Sequence, residues 1–377
     1  MIHNADLQLF SALSAAIPPP DSAVAAATQA RLDRLTKPQG SLGQLEPLLV
    51  RLAAATGQIC PQLDRRVVLL AAADHGVADE GVSAYPQAVT GQMLLNYLRG
   101  GAAVSALARA AGAQVVVVDA GVKGQVAPHP NLHRLMIRAG SGNIAREAAM
   151  TMAETLAALQ AGVDFVDNLW ESGLDLLALG EMGIANSTVA ATLTSAFTGM
   201  APERTVGRGT GIDDATLAHK QAVVQRALDR LQNAQDDSVE LPSAIGTLQE
   251  VGGLEIAFLA GAIVGAAARR IPILLDGYIT TSAALAAAAL APAVKPYLFA
   301  AHRSAEPGHE LALAQLGLTS EQGAGPLIQL DLRLGEGSGA ALAMPLLVSA
   351  ACVMREMATF GEAGVSEQDE RRTPGHK

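Results

Sequence analysis

The sequence has 377 residues, of which 50% are hydrophobic and 16% are charged, so it can bury a large core. Its net charge of -10, with no Lys/Arg-rich stripe, argues against a nucleic-acid partner. Cys60 and Cys352 have no paired spacing, which argues against a disulfide framework or a zinc cluster and favours the cytoplasm. The N-terminus lacks a basic segment followed by an apolar core, so it does not predict a signal peptide.

In chain order, the first sixty residues predict two helices, at 23–35 and 42–56, separated by a turn containing Pro and Gly. Apolar runs of strand length then alternate with Ala-rich helical segments, which predicts parallel strands buried on both faces. The runs are 67–73, 115–118, 174–179, 271–275, 297–301 and 327–332. Since ligands of open α/β sheets bind outside the carboxyl ends of the strands, we expect one composite site there.

The most apolar stretches of the chain are 256–268 and 340–354, which stop at Arg269 and Arg355. Both are shorter than the ~20 residues that a membrane span needs. We therefore interpret them as buried helices and expect no membrane partner.

Three short segments, 180–183, 207–211 and 335–339, place charged residues beside glycines. Glycine lets main-chain N–H groups approach a ligand closely, and a Glu between two glycines, such as Glu336, has no local packing role. This pattern favours an enzyme that acts on a small phosphorylated sugar. Asp74, Asp119 and Asp276 also follow apolar runs, but they are as consistent with helix caps as with ligand binding.

Other nucleotide-binding patterns are missing from the sequence. No apolar run leads into Gly-x-Gly-x-x-Gly at a helix start, and there is neither a Walker loop nor the acidic phosphoribosyl-diphosphate motif. His75, His302 and His309 lack a zinc spacing. We therefore expect no metal and no cofactor.

Together the motifs resemble those of the nicotinate-nucleotide:dimethylbenzimidazole phosphoribosyltransferase family. They lie at 36–43, 73–77, 80–86, 89–93, 180–184, 207–214, 301–306 and 333–340, and their number and order carry the resemblance. One departure is Ala185-Asn186-Ser187-Thr188, where the family pattern usually reads Gly-Asn-Thr-Thr. It keeps a hydroxyl but adds a methyl group to a predicted phosphate loop.

The resemblance implies transfer of the phosphoribosyl group of nicotinate mononucleotide to a nitrogen of 5,6-dimethylbenzimidazole, in synthesis of the cobalamin nucleotide loop. The sugar configuration would change from β to α, which points to direct attack at C1′. By the same resemblance, Glu336 is the general base and Glu181 is the second acidic residue, which faces the ribose and the cationic centre.

The resemblance also assigns binding residues. Those for phosphate and ribose are Gly183, Asn186, Ser187, Gly209, Thr210, Lys220 and Ser304. Those for the base are Ser83, Tyr85, Gln92, Met93 and Leu334. Since Met and Leu give an apolar slot with little polar discrimination, the natural acceptor base stays open.

We predict an α/β fold, with a Rossmann-like parallel sheet covered by helices on both faces. The large catalytic domain would span 62–335, and the two chain ends, 1–61 and 336–377, would form a small helical domain. The resemblance further implies a homodimer. Two alternatives stay open, a nucleotide N-glycosidase that admits water in place of the base and a non-catalytic nucleotide sensor.

Overall fold

The computed structural model describes residues 12, 15–124, 126–209, 211–234 and 244–366. The strands are β1 (Arg66–Ala73), β2 (Gln114–Gly121), β3 (Leu132–Arg134), β4 (Leu176–Met182), β5 (Ile273–Leu275) and β6 (Leu298–Ala300). All neighbouring strands pair in parallel, in the order β3-β2-β1-β4-β5-β6. This is the order of Rossmann folds, in which the connections reverse direction between β1 and β4. The predicted α/β fold is confirmed.

Helices connect the strands and cover the sheet. They are α1 (Ser22–Leu32), α2 (Leu45–Thr56), α3 (Ala88–Leu98), α4 (Ala103–Ala110), α5 (Met152–Glu171), α6 (Asn186–Thr198), α7 (Pro202–Thr205), α8 (Asp214–Asn233), α9 (Ala244–Val251), α10 (Leu254–Ala268), α11 (Tyr278–Leu290), α12 (Pro307–Leu316), α13 (Ser338–Glu356) and α14 (Phe360–Ala363). Short 3-10 helices lie at Gly76–Glu80, Pro292–Tyr297 and Ser320–Gln322.

Helix α10 is apolar on all sides because it is buried along nearly its whole length. It packs closely against α5, where two glycines allow the backbones to meet. A Cβ atom at Gly261 would lie 1.9 Å from the Leu159 carbonyl oxygen, and one at Gly162 would lie 2.0 Å from that of Phe258. The sequence prediction of a buried helix at 256–268 is therefore confirmed.

The two chain ends lie together. Leu35 pairs with Thr359 in an isolated antiparallel bridge, and the Arg31 side chain donates a hydrogen bond of 3.1 Å to the Met354 carbonyl. Leucines of α2 and α13, including Leu49 and Leu347, share one hydrophobic core with the sheet. Whether these helices form a separate domain stays a prediction.

Helix α13 is longer than the predicted 340–354 segment. Among the described residues it is the one helix whose length and composition would allow it to cross a membrane, and 56% of its most apolar window is buried inside the protein. Its apolar face, which includes Met344 and Leu347, packs into the core beneath the sheet. A core helix meets the same criterion, so its hydrophobicity is explained by packing.

One strand prediction is wrong, and one strand was not predicted. The segment 327–332 is irregular and forms only one bridge, between Ile328 and His302. Pro326 precedes it, and Asp331 has a φ of 52°, which interrupts extended backbone. Conversely, β3 was not predicted because its three residues, Leu-His-Arg, form no apolar run.

Candidate active site

A cleft with an empty volume of about 850 Å³ opens at the carboxyl ends of β4, β5 and β6. It lies beside the β1–β4 reversal, where Rossmann folds bind their ligands. The structure brings many of the predicted site residues together in its lining. These are Ser83, Glu181, Gly183, Asn186, Ser187, Gly209, Lys220, Ser304, Leu334 and Glu336.

Two glutamates meet at one end of the cleft. Glu181 is near the carboxyl end of β4, and its Oε1 accepts a 3.3 Å hydrogen bond from the Glu336 backbone N–H. Glycines permit this approach: a Cβ at Gly335 would lie 2.4 Å from Glu181 Oε1, and one at Gly180 would lie 2.6 Å from the Glu336 carbonyl oxygen. The glycines beside both glutamates therefore serve to join the two segments.

Both carboxyl groups are buried, with exposed fractions of 5% for Glu181 and 8% for Glu336. Burial raises the pKa of Glu181 to about 8, the charge of Asp276 adds to the rise, and a hydrogen bond from Asn186 opposes it. Burial also raises the pKa of Glu336, against a lowering by Tyr97. A raised pKa makes the ionised Glu336 a better proton acceptor, whereas Glu181, without a ligand, holds its own proton at neutral pH.

Asp276 follows β5 and fixes the segment that carries Glu336. Its two oxygens accept hydrogen bonds from the N–H groups of Gly337, at 3.1 Å, and Ala340, at 2.9 Å, at the start of α13. Asp74 and Asp119 similarly accept backbone N–H groups, those of Lys123 and Val122. None of the three caps the helix that follows it in sequence: Asp74 and Asp119 hold loops, and Asp276 caps the start of α13.

The other end of the cleft suits an anion. Lys220, on α8, is 1% exposed, and its ammonium group donates to Ser187 Oγ at 2.9 Å and to the Gly207 carbonyl at 3.2 Å. Burial lowers the pKa of Lys220 to about 8, while the charge of Glu306 raises it. Ser187 is in the first turn of α6, where helix N–H groups favour negative charge.

Comparison with known proteins shows the family of the chain. A family model described as phosphoribosyltransferase matches residues 17–365. A protein from Chloroflexus aggregans named nicotinate-nucleotide--dimethylbenzimidazole phosphoribosyltransferase is 50% identical over 354 residues, which are 94% of this chain and 97% of that protein. A protein of the same name from Roseiflexus sp. (strain RS-1) is 48% identical, covering 96% of this chain and 99% of its own.

The crystal structure of CobT from Thermus thermophilus superposes with a TM-score of 0.85 at 47% identity, covering 92% of this chain and 99% of that one. The chain belongs to the nicotinate-nucleotide--dimethylbenzimidazole phosphoribosyltransferase family. The resemblance inferred from the motifs is thereby confirmed, and so is the enzyme class.

Ala185, where the family pattern usually has glycine, has a strained backbone conformation. Ala185 precedes α6 with a φ of 74°, in the left-handed region. This conformation costs about 1 kcal/mol for a residue with a Cβ, which glycine would not incur. Ser187, two residues further on, nevertheless accepts a hydrogen bond from Lys220.

Some residues assigned from the family pattern do not line the cleft in this chain. Tyr85 is 53% exposed, Gln92 is exposed, and Met93 is half-buried against the core. Thr210 lies outside the described residues. The roles of these four residues stay predictions, as do those of the residues that do line the cleft.

The structure adds residues to the site that sequence reasoning did not assign. His302 is buried in the cleft wall, and its Nε2 lies 3.9 Å from Asp276 Oδ1. The buried Tyr97 hydroxyl lies close enough to Glu336 to lower its pKa, but the two groups stop short of hydrogen-bond geometry. Glu306 also lines the cleft. His302 and Glu306 stood within a recognised motif, whereas Tyr97 gave no signal inside its helix.

No cluster of three or more metal-ligating side chains occurs in the part of the chain that the structure describes.

Proposed function

We propose that this chain transfers the 5-phosphoribosyl group of nicotinate mononucleotide to 5,6-dimethylbenzimidazole, giving α-ribazole 5′-phosphate and nicotinate for the cobalamin nucleotide loop. The observation that carries the proposal is the single cleft that joins the Glu181–Glu336 pair to the Lys220–Ser187 anion site, in a chain of this family. A phosphate and a reacting sugar carbon can thus be held at opposite ends of one site.

At the anion end, Lys220, Ser187 and the N-terminus of α6 hold the 5′-phosphate. At the other end, Glu336 removes the proton from one nitrogen of the base while the other nitrogen attacks C1′. The C1′–pyridinium bond breaks and its electron pair returns to the ring nitrogen, which releases nicotinate. Glu181 lies beside Glu336, and the positive charge of the bound pyridinium ring would favour loss of its proton, so that the resulting carboxylate stabilises the developing sugar cation.

The base would lie against Ser83 and Leu334, with Tyr85, Gln92 and Met93 as further proposed contacts. Leu334 is 56% exposed at the cleft and offers an apolar surface for a planar ring. The homodimer, the cytoplasmic location and the two-domain division remain proposals that go with this function.

The experiment is mass spectrometry of the products formed from nicotinate mononucleotide and dimethylbenzimidazole. We expect α-ribazole 5′-phosphate and nicotinate in equal amounts. In a parallel reaction without the base, ribose 5-phosphate should not accumulate; its accumulation would identify an N-glycosidase instead. Binding of the nucleotide without any product in either reaction would identify a sensor and refute the transferase.

A further inference from the structure

Glu306 is a carboxylate that the mechanism above does not use. It lines the cleft, it is 9% exposed, and its Oε1 accepts a 2.9 Å hydrogen bond from the Gly209 N–H. Its Oε2 is buried and has no hydrogen-bond partner among the residues that the structure describes. A buried carboxylate oxygen without a partner costs folding free energy. A ligand group that donates a hydrogen bond to it would recover part of that cost.

The chain makes room for this carboxylate. A Cβ atom at Gly207 would lie 2.0 Å from Glu306 Oε2, so only glycine fits there without a shift. The Glu306 backbone N–H also donates a 3.3 Å hydrogen bond to Ser304 Oγ, which orients the residue at the start of α12. A neutral acceptor such as glutamine could accept the hydrogen bond from the Gly209 N–H equally well, so this bond does not explain why the residue is a carboxylate.

Glu306 is not explained as an ion-pair partner either. Its charge raises the pKa of Lys220, but the two groups form no ion pair within 4.0 Å in the described residues. A second anion beside a phosphate site would by itself weaken phosphate binding. Its attraction for Lys220 leaves Oε2 without a hydrogen-bond partner among the residues described, and a hydrogen bond from another part of the substrate would offset the repulsion.

Nicotinate mononucleotide has few groups that can donate a hydrogen bond to a carboxylate. Its phosphate and its nicotinate carboxylate are acceptors, and its ring nitrogen carries no hydrogen, which leaves the 2′- and 3′-hydroxyls of the ribose. Glu181 is a poor competitor because its two oxygens already accept from Asn186 and from the Glu336 N–H.

We infer that Glu306 is the acceptor for the ribose hydroxyls and that it selects ribonucleotides over deoxynucleotides. This inference deepens the proposed function and rests on it. A carboxylate that binds vicinal hydroxyls would also fix the rotation of the sugar between the phosphate end and the two catalytic glutamates.

The test compares Kd values, measured by calorimetry, for nicotinate mononucleotide and its 2′,3′-dideoxy analogue. For the wild-type protein, we expect the analogue to bind roughly 10- to 100-fold more weakly, as for loss of hydrogen bonds to a charged group. Glu306→Gln keeps an oxygen for the Gly209 N–H, and with it the two ligands should bind within about threefold of each other. Glu310→Gln, an exposed carboxylate on the same helix, is the control and should behave as wild type.

An equal ratio of the two Kd values in wild type and Glu306→Gln would overturn the inference. So would tighter binding of nicotinate mononucleotide by Glu306→Gln, which would mean that the carboxylate only obstructs the phosphate. Equal binding of the two ligands by the wild-type protein would overturn it without any variant. If wild type and Glu306→Gln both show their expected ratios but the wild-type protein forms no product with dimethylbenzimidazole, the transferase proposal fails while the assignment of Glu306 stands.

Discussion

The buried Glu181 should make the stability of the protein depend on pH in a defined direction. Its pKa is 4.5 in ordinary surroundings and about 8 here, so between these values the folded protein holds a proton that the unfolded chain has released. The free energy of unfolding therefore falls as pH rises through this window, by at most about 1.4 kcal/mol per pH unit. From about pH 5.5 to 7.5, Glu181 should account for a loss of about 2 kcal/mol.

The assay is urea denaturation of wild type and Glu181→Gln at both pH values. Glutamine has a similar shape and does not titrate, so the variant should lose less stability over the interval by about 2 kcal/mol. The other buried carboxyl groups, Asp276 and Glu336, are present in both proteins, so their contributions largely cancel. Glu203→Gln, which changes an exposed side chain in α7, should follow wild type. Equal losses in wild type and Glu181→Gln would refute the reasoning.

Three further predictions concern the chemistry. Lys220→Ala should raise the KM for nicotinate mononucleotide much more than that for the base, and steady-state kinetics with unchanged KM values would remove it from the phosphate site. Gly335→Ala should lower kcat by about tenfold or more, because its Cβ would lie 2.4 Å from Glu181 Oε1; Gly364→Ala, also at positive φ but with no neighbour within 4 Å, should not. Glu336→Gln should keep base binding by calorimetry but lower the single-turnover rate by about 100- to 10,000-fold, and a near-normal rate would show that another group takes the proton.

The sheet could be predicted where its strands are buried on both faces. β1 and β4 consist almost entirely of apolar residues, because helices cover them on each side. The segment 327–332 has Gln329 and Asp331 among its apolar residues, and it lies beyond β6 at the margin of the sheet. There it forms only one bridge to the rest of the sheet, and the positive φ of Asp331 interrupts its extended backbone.

Site residues could be predicted where their neighbours in the sequence form an unusual pattern. Glu181 and Glu336 stand beside glycines that their close approach requires, and this left a visible pattern. Tyr97 lies within helix α3 and lowers the pKa of Glu336. The two residues come close only when α3 packs on the sheet. Such residues have no local signature, because their surroundings are built from distant parts of the chain.

The attachment of α13 has a consequence for catalysis. Glu336 immediately precedes this helix, whose far end is held by Arg31 of α1 through the Met354 carbonyl. The position of the proposed general base thus depends on a helix that Arg31 anchors, so loss of the Arg31 guanidinium group should disturb catalysis although this group contacts neither substrate.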